Sequence, residues 1–222
     1  MSLIAENISK RYFRKTGQAN YFEAVKPVSF TLEEGTLPAL MGRSGSGKTT
    51  LLHLLSGLLR PTQGKVILEG QDLYAMKDEA LSRLRNQKMG VIPQARSAVD
   101  TLSVLENILL PSRLYGMDEP VKRAGEWMER LGIAHLADAS PRELSGGELR
   151  RMAIARALSA DPEVILADEP TGDLDAANTE LALSALRDMA KVGKMVFVVT
   201  HEDDIRPYAD RVWRMDAGSI AF

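Results

Sequence analysis

Nine consecutive residues have the composition of a phosphate-binding loop (P-loop). They are Gly42, Arg43, Ser44, Gly45, Ser46, Gly47, Lys48, Thr49 and Thr50. The glycines let successive backbone N–H groups turn inward around an anion, at the positive end of the helix that comes next. Lys48 supplies a point charge for β- and γ-phosphates, and the Thr49 hydroxyl can ligate Mg²⁺. A glycine-rich turn that only caps a helix is the alternative, but the complete pattern between apolar flanks favours a triphosphate cradle, which kinases, GTPases and ATPases share.

A pair of carboxylates forms the second candidate group. Val164–Ala167 is an uninterrupted apolar run, which predicts a parallel strand buried on both faces, and Asp168 and Glu169 come directly after it. Beside a magnesium triphosphate, Asp168 can hold the metal through its water shell, and Glu169 can orient or deprotonate the attacking water. A cap of the next turn would also explain the two acids. The agreement of strand, carboxylate pair and P-loop favours a hydrolytic site.

A second anion site is predicted at Ser145-Gly146-Gly147-Glu148, at the start of a helix over Leu149–Ala160. Ser145 and Glu148 have the spacing of a capping box. A cap does not require the two glycines, each of which weakens a helix by about 1 kcal/mol relative to Ala. Their bare N–H groups allow the close approach of a phosphate. Because the P-loop already serves one nucleotide, the simplest inference is that this site serves a nucleotide bound to another copy.

Two further polar residues come after predicted buried strands. Gln94 comes after Met89–Ile92, and His201 comes after Met195–Val199. Ligands of α/β sheets bind at the carboxyl ends of the strands, so Gln94 is placed to touch a ligand and His201 could donate to a γ-phosphate. A single glutamine in a loop is usually an ordinary polar residue, so this interpretation of Gln94 depends on the other motifs.

The elements that must position these residues alternate between strand and helix patterns. Strands are predicted at Ser2–Ile8 and Ala24–Leu32, around a polar hairpin tip at 14–20, and at Lys65–Glu69 before a turn at Gly70–Asp72. Cross-strand packing is the favoured interpretation of the aromatic residues beside the tip, which are Tyr12, Phe13, Tyr21 and Phe22.

A helical lobe is predicted at 95–160. Within this lobe, amphipathic helices are predicted at Ser103–Leu110 and Glu119–Leu131, separated by Pro111 and by Gly116–Asp118, and a connecting loop is predicted at Ala134–Pro141. Outside the lobe, helices are predicted from Asp78 and at Ala176–Lys191. The chain is therefore predicted to be one α/β domain over 1–222. Residues 1–94 and 161–222 would form a RecA-like P-loop NTPase core of mostly parallel sheet with a small antiparallel β subdomain.

Composition excludes several classes of protein. The chain has 222 residues, 45% of them hydrophobic and 26% charged, as in ordinary soluble domains. A formal net charge of −2 lacks the basic footprint of a nucleic-acid-binding protein, so no nucleic-acid partner is expected. The absence of cysteine excludes disulfides and thiolate metal sites. Apolar runs fall short of the ~18 residues that cross a bilayer, so we expect that the chain alone neither enters nor crosses a membrane.

In their order, the motifs resemble those of the nucleotide-binding subunit of an ABC transporter, over nearly the whole chain. They are Walker A (Gly42–Thr50), a Q-loop glutamine (Gln94), the signature (Leu144–Glu148), Walker B (Val164–Glu169), a D-loop (Gly172–Asp175) and a switch histidine (His201). The resemblance implies ATP and Mg²⁺ as ligands. It also implies a head-to-tail dimer in which each ATP lies between the Walker motifs of one copy and the signature of the other.

Roles for individual residues are also implied by the resemblance. Those implied in catalysis are Glu169, His201 and Gln94. Those implied at the metal are Thr49, Gln94 and Asp168. The nucleotide-binding residues would be all of Walker A with Ser145, Gly146, Gly147, Glu148 and Asp175. Adenine is expected to stack on Tyr12, the position that matches the family's aromatic residue, with Phe13 as the near rival.

Within the family, the long first hairpin and the segment 101–108 are similar to the lipoprotein-releasing, macrolide-exporting and cell-division group. The sequence departs from the family pattern at two places. Glu148 stands where Gln is commoner, and Gly172-Asp173-Leu174-Asp175 stands where Ser-Ala-Leu-Asp is usual. Neither departure removes a phosphate ligand, so ATPase activity is expected.

Three functions compete at this stage. The leading one is a cytoplasmic ATPase that sits at the inner face of the membrane and powers a separate permease, in an exporting or lipoprotein-extruding system. The second is a regulator that signals through a membrane partner, as in cell division. The third is a soluble ABC ATPase of DNA repair or translation, although the chain lacks the long inserts or second motor domain of those proteins. The expected permease-docking surface is Ala95–Leu114, which is rich in apolar residues.

Overall fold

The computed structural model describes residues 2–13, 21–116 and 119–222. The strands are, in chain order, β1 (Ser2–Phe13), β2 (Tyr21–Glu33), β3 (Pro38–Met41), β4 (Gln63–Leu68), β5 (Gln71–Asp72), β6 (Met89–Ile92), β7 (Val164–Asp168), β8 (Met195–Thr200), β9 (Arg211–Asp216) and β10 (Ser219–Ala221). The α-helices are α1 (Lys48–Leu55), α2 (Asp78–Lys88), α3 (Val104–Tyr115), α4 (Pro120–Arg130), α5 (Gly146–Ser159) and α6 (Ala176–Lys191). Short 3₁₀ helices lie at Ala134–Leu136, Pro141–Glu143 and Asp203–Ile205.

The strands form two sheets. An antiparallel sheet has the order β2-β1-β4-β5, and a six-stranded sheet has the order β10-β9-β3-β8-β7-β6. In the six-stranded sheet, all neighbours pair in parallel except β10 with β9. The carboxyl ends of β3, β6, β7 and β8 therefore meet at one edge. The predicted P-loop, Gln94, the carboxylate pair and His201 each lie at the end of one of these strands, so the topology gathers them at that edge.

Strand β7 shows why its sequence is apolar without alternation. All five of its residues are buried. Val164 and Leu166 pack into a core shared with α1 and the antiparallel sheet, whereas Ile165 and Ala167 pack into a core shared with α3, α5 and α6. A strand covered on both faces needs apolar residues at every position. The predicted α/β fold, with its antiparallel subdomain and helical lobe, is confirmed.

Helix α3 differs from the prediction because it continues through Pro111 to Tyr115. Proline removes one backbone hydrogen bond and usually ends or kinks a helix. Here the residues on both sides of it are anchored, since Ile108, Leu109 and Ser112 are buried in the lobe. Tertiary packing therefore outweighs the local preference, as it commonly does for helices of this length.

Other elements also differ from the sequence-based expectations. The strands β1 and β2 extend to Phe13 and Tyr21, beyond their predicted ends. Gln71 and Asp72 pair with β4 as a short strand rather than forming only a turn. The final strands β9 and β10 were not predicted. The predicted hairpin tip at 14–20 and residues 117–118 lie outside the described residues.

Candidate nucleotide site

The P-loop connects buried strand β3 to α1, and its glycines are required by close approach. Gly47 has φ of +110°, a region that side chains disfavour, and a Cβ there would lie 2.0 Å from the Ala24 carbonyl oxygen. A Cβ on Gly42 would lie 2.4 Å from the Met215 carbonyl oxygen. The loop therefore fits against β2 and β9 only with glycine at these two positions. Helix α1 begins at Lys48, so its first N–H groups face the loop.

Lys48 is buried at the centre of this arrangement. Its Nζ donates to the carbonyl oxygens of Gly42 at 2.7 Å and Arg43 at 3.2 Å. The same Nζ lies 3.6 Å from Glu169 Oε1. The ammonium group is thus held between the P-loop backbone and the carboxylate at the end of β7. A triphosphate in the loop would offer it stronger, charged acceptors than the two carbonyls.

Asp168, the last residue of β7, is 1% exposed, and neither of its carboxylate oxygens has a hydrogen-bond partner among the described residues. Burial raises the pKa of Asp168, and the nearby Thr49 hydroxyl opposes the rise without reaching hydrogen-bond geometry. Within the described ranges, the buried Ser46 Oγ of the P-loop also has no hydrogen-bond partner. Buried polar atoms are normally satisfied, so the Asp168 carboxylate fits a ligand that supplies positive charge or donors.

Glu169 is fixed by three hydrogen bonds and by a strained backbone. Thr200 Oγ1 donates to Oε2 at 2.7 Å, the His201 backbone N–H donates to Oε2 at 3.2 Å, and His201 Nδ1 lies 2.9 Å from Oε1. The residue has φ of +48°, which is uncommon outside glycine and often found at active sites. Burial alone would raise the pKa of Glu169. The hydrogen bonds from His201 and Thr200 together outweigh burial, so the net effect is a lowered pKa. The carboxylate is therefore ionised and oriented at neutral pH.

His201 is exposed, unlike its partner Glu169. The hydrogen bond to Glu169, strengthened by the charge of that carboxylate, raises the pKa of His201 above its usual value. The ring therefore holds a proton more strongly than a free histidine does. When the ring is protonated, Nδ1–H faces the carboxylate and Nε2–H is available to donate to a ligand.

The aromatic pair beside the P-loop confirms the cross-strand prediction. Tyr12 pairs with Phe22 across β1 and β2, and their rings stack with centroids 5.5 Å apart and 25° between planes. Both line a cavity of about 310 Å³, here called the P-loop cavity, together with the P-loop, Gln94, Glu169 and His201. Phe13, by contrast, is 87% exposed and does not line that cavity. The alternation of β1 therefore directs Tyr12, not Phe13, toward the P-loop.

The other P-loop residues divide between two cavities. Ser44, Gly45, Thr49 and Thr50 line the P-loop cavity. Gly42 and Arg43, again with Ser44, line a separate space of about 760 Å³ that is bordered by arginines of the last third of the chain. All the predicted loop residues except the buried Ser46 therefore border one or both of two adjoining spaces.

The signature begins α5 as predicted from its capping box. The Glu148 backbone N–H donates to Ser145 Oγ at 3.3 Å, and Ser145 N–H donates to Glu148 Oε2 at 2.7 Å. The hydrogen bonds from Ser145 lower the pKa of Glu148. The helix begins at Gly146, three residues earlier than predicted, because this cap encloses Gly146 and Gly147 within its first turn.

A second cavity of about 450 Å³, here called the signature cavity, is lined by Ser145–Glu148, Arg151, 173–175 and Asn178. Asp175 caps α6 there by accepting from the Asn178 N–H at 2.8 Å. The signature cavity shares no lining residue with the P-loop cavity. One chain therefore brings the P-loop, Tyr12, Gln94, Glu169 and His201 together but places the signature and Asp175 elsewhere.

Sequence reasoning missed three residues of the site. Thr200, which holds Glu169, could have been found from its place at the end of a predicted buried strand. Phe22 could have been found by extending the hairpin register to its aromatic residues. Arg150 donates to the Gln94 backbone carbonyl at 2.8 Å, and no motif in the sequence marks it.

Comparison with known proteins decides the family. The family described as ABC transporter matches residues 25–172. A protein of Thermotoga maritima, described as an uncharacterized ABC transporter ATP-binding protein, is 45% identical over 200 residues, which are 89% of this chain and 86% of that protein. The chain belongs to the ABC transporter family. This confirms the predicted family and its ATPase class.

Two further relatives of this ABC ATPase are informative. The macrolide export ATP-binding/permease protein MacB of Chlorobaculum tepidum is 39% identical over 215 residues, covering 96% of this chain but 33% of MacB. The solved dimeric post-hydrolysis structure of the ATP-binding cassette MJ0796, bound to ADP and Pi, is 32% identical with a TM-score of 0.91, covering 99% of this chain and 97% of that chain. Among the described residues, no helix of this ABC chain combines the length and apolarity needed to span a bilayer.

Proposed function

We propose that this ABC ATPase binds ATP in the P-loop cavity, dimerises around two ATP molecules and drives a separate membrane permease by hydrolysis. One observation carries the proposal. The ionised Glu169 carboxylate is fixed by Thr200 and His201 at 3.6 Å from Lys48, the cation of the P-loop. A fixed base beside a phosphate-binding cation is what hydrolysis of a phosphoanhydride requires.

Binding of ATP uses the two ends of the P-loop cavity. The face of Tyr12, supported from behind by Phe22, gives adenine a stacking surface. The N–H groups of the P-loop and of the first turn of α1 donate hydrogen bonds to the phosphates. Lys48 exchanges the carbonyl oxygens of Gly42 and Arg43 for the β- and γ-phosphates.

The residues present fit Mg²⁺. Asp168 offers two buried carboxylate oxygens that have no hydrogen-bond partner in the described part of the chain, the Thr49 hydroxyl lies near them, and Gln94 lines the same cavity as Thr49. Mg²⁺ held there would neutralise charge on the phosphates. Asp168 must be ionised to hold a cation, and a cation would offset the burial that raises its pKa.

Hydrolysis uses Glu169 and His201. Glu169 orients a water molecule for attack on the γ-phosphorus and accepts a proton from it, while the bond between the γ-phosphorus and the bridging oxygen breaks. In its protonated form, which the contact with Glu169 favours, His201 donates a hydrogen bond to the γ-phosphate from its second ring nitrogen. The products are ADP and phosphate.

A second copy would complete each site. The signature cavity contains backbone N–H groups at the start of α5 but lies apart from the P-loop cavity. In a head-to-tail dimer, Ser145, Gly146 and Gly147 of one copy would reach the γ-phosphate held by the other. The dimeric MJ0796 cassette supports this arrangement.

The name of one relative supports a permease as the driven partner. MacB is named as both an ATP-binding and a permease protein, and this chain matches 33% of it. This likeness supports an exporting system in which the motor acts from the cytoplasmic face of the membrane.

Fewer apolar side chains of the predicted docking surface at Ala95–Leu114 are accessible in the structure than the sequence suggested. Its residues Val104, Ile108 and Leu109 are buried in the core of the lobe and therefore do not face a partner. Val99 is 38% exposed and Leu102 is half-buried, so they remain available to a partner.

Co-purification tests the permease proposal. When the wild type is purified from cells of its own organism, an integral membrane protein should co-purify with it. Val99→Asp should lose that protein while still folding and binding ATP. The matched control is Val121→Asp, on the exposed face of α4. If no membrane protein accompanies the wild type, the permease proposal is wrong. If Val99→Asp retains it, the docking surface lies elsewhere.

A further inference from the structure

Arg150 connects the signature helix to the backbone that carries Gln94. Its Nη1 donates to the Pro93 carbonyl oxygen at 2.7 Å, and its Nη2 donates to the Gln94 carbonyl oxygen at 2.8 Å. One planar guanidinium thus binds two adjacent carbonyls, a geometry that only the fork of arginine provides. The peptide between Pro93 and Gln94 is fixed at both ends relative to α5.

The same guanidinium lies beside the D-loop. A Cβ built on Gly172 would lie 3.8 Å from Arg150 Nη2, which is ordinary van der Waals distance. Burial lowers the pKa of Arg150, and the carboxylates of Asp173, Asp168 and Glu169 oppose that change. Arg150 therefore lies where the Q-loop, the signature helix and the D-loop meet, within the electrostatic reach of the Walker B carboxylates.

Arg156, two turns further along α5, shows what a purely structural contact looks like. Its Nη1 donates to the Ser97 carbonyl oxygen at 2.8 Å, and its Nη2 contacts Ser97 Oγ. Burial lowers the pKa of Arg156, and no carboxylate in the described part of the chain opposes this. Both arginines anchor the 93–97 segment, but only Arg150 touches the residue that lines the P-loop cavity.

We propose that Arg150 is a positioning residue for Gln94, and that it couples the Q-loop to the signature helix. This rests on the proposed function, in which Gln94 lines the cavity that holds the metal and the triphosphate. Movement of the Gln94 backbone must either break both hydrogen bonds or displace α5. Because α5 begins with the signature, the state of the nucleotide in one copy's P-loop cavity is transmitted to the site that its signature completes.

A double-mutant cycle of Arg150→Gln and Gln94→Ala tests this proposal. Loss of two bonds from a charged donor should lower kcat about tenfold while the KM for ATP changes little. If Arg150 acts through Gln94, Arg150→Gln should have almost no further effect in the Gln94→Ala background. The proposal would be overturned if the two substitutions lowered kcat by independent factors that multiply in the double variant. It would also be overturned by a Gln94→Ala variant with normal kcat. The matched control Arg142→Gln removes an exposed arginine of the same lobe and should leave kcat unchanged.

Hydrogen exchange gives a second readout that needs no turnover. Amides of 94–97 should exchange faster in Arg150→Gln than in the wild type, and those of β7 should not. If the wild type hydrolyses no ATP, the proposed function fails, and this measurement alone decides whether the tether exists. Unchanged exchange at 94–97 would refute the tether. Should Arg150→Gln not fold, Arg150→Lys retains the charge and stem but binds only one carbonyl, and the same comparisons apply to it.

Discussion

The Lys48 ammonium lies 3.6 Å from Glu169 Oε1, and each side chain is less than a tenth exposed. The two charges compensate each other in a site that excludes most water. Glu169 does not depend on Lys48 for its position, because Thr200 and His201 also bind its carboxylate. Lys48 can therefore turn to a triphosphate without releasing the base.

The first prediction concerns this lysine. Lys48→Ala should remove the cation that binds the β- and γ-phosphates and reduce ATP affinity by about 1.5–3 kcal/mol, as for a charged hydrogen bond. Isothermal titration with ATP measures the change. Lys122→Ala, which removes an exposed lysine of α4, is the control and should bind normally. Hydrolysis at the wild-type rate by Lys48→Ala would contradict the assignment of the P-loop.

The second prediction ranks the two aromatic residues of β1. Tyr12→Ala should weaken ATP binding by about 1–3 kcal/mol because it removes the base-stacking surface. Phe13→Ala should have much less effect, since that ring is 87% exposed and lies outside the P-loop cavity. Titration of a fluorescent ATP analogue compares the variants directly. The opposite order would transfer the stacking role to Phe13.

The third prediction is a pKa that depends on Glu169. NMR titration should place the midpoint of His201 above 6.5, the ordinary value for histidine, because Glu169 stabilises the protonated ring. In Glu169→Gln the midpoint of His201 should fall, because the partner that stabilises the protonated ring has lost its charge. His201→Gln assigns the resonance. An identical His201 midpoint in both proteins would show that the contact does not act on the proton.

The pair also predicts how stability depends on pH. The folded-state pKa of His201 is raised, so its contribution to the free energy of unfolding is present at low pH and is lost as the pH rises through that pKa. The folded-state pKa of Glu169 is lowered, so its contribution is present at higher pH and is lost as the pH falls through that pKa. The contact between His201 and Glu169 is strongest at pH values between the pKa of Glu169 and the pKa of His201. Denaturant unfolding across this range should show that Glu169→Gln removes both dependences.

Much of the site could be predicted because each motif lies at the end of a strand whose burial is evident from sequence. The apolar runs that end at Asp168 and near His201 and Gln94 are parallel strands, and the carboxyl ends of parallel strands meet at one edge of the sheet. The capping box of Ser145 and Glu148 was predictable for a simpler reason, since capping is decided within a few residues.

The features that could not be predicted depend on contacts between distant parts of the chain. Pro111 remains inside α3 because neighbouring residues are buried against other helices, and its local sequence contains no sign of this. Arg150 reaches Pro93 and Gln94 across 57 and 56 positions in the sequence. The individual roles of the site residues and the lobe boundaries at 95 and 160 remain predictions.

Glu169→Gln tests the central claim, that Glu169 activates water at a site completed by a second copy. The substitution preserves the size of the side chain but removes its negative charge, so ATP should still bind while steady-state hydrolysis falls to near background. Size exclusion with ATP and Mg²⁺ should show a stable dimer that becomes monomeric when nucleotide is withdrawn, and Glu180→Gln, an exposed residue of α6, should behave as the wild type. Normal hydrolysis by Glu169→Gln, or an ATP-bound protein that stays monomeric, would contradict the account.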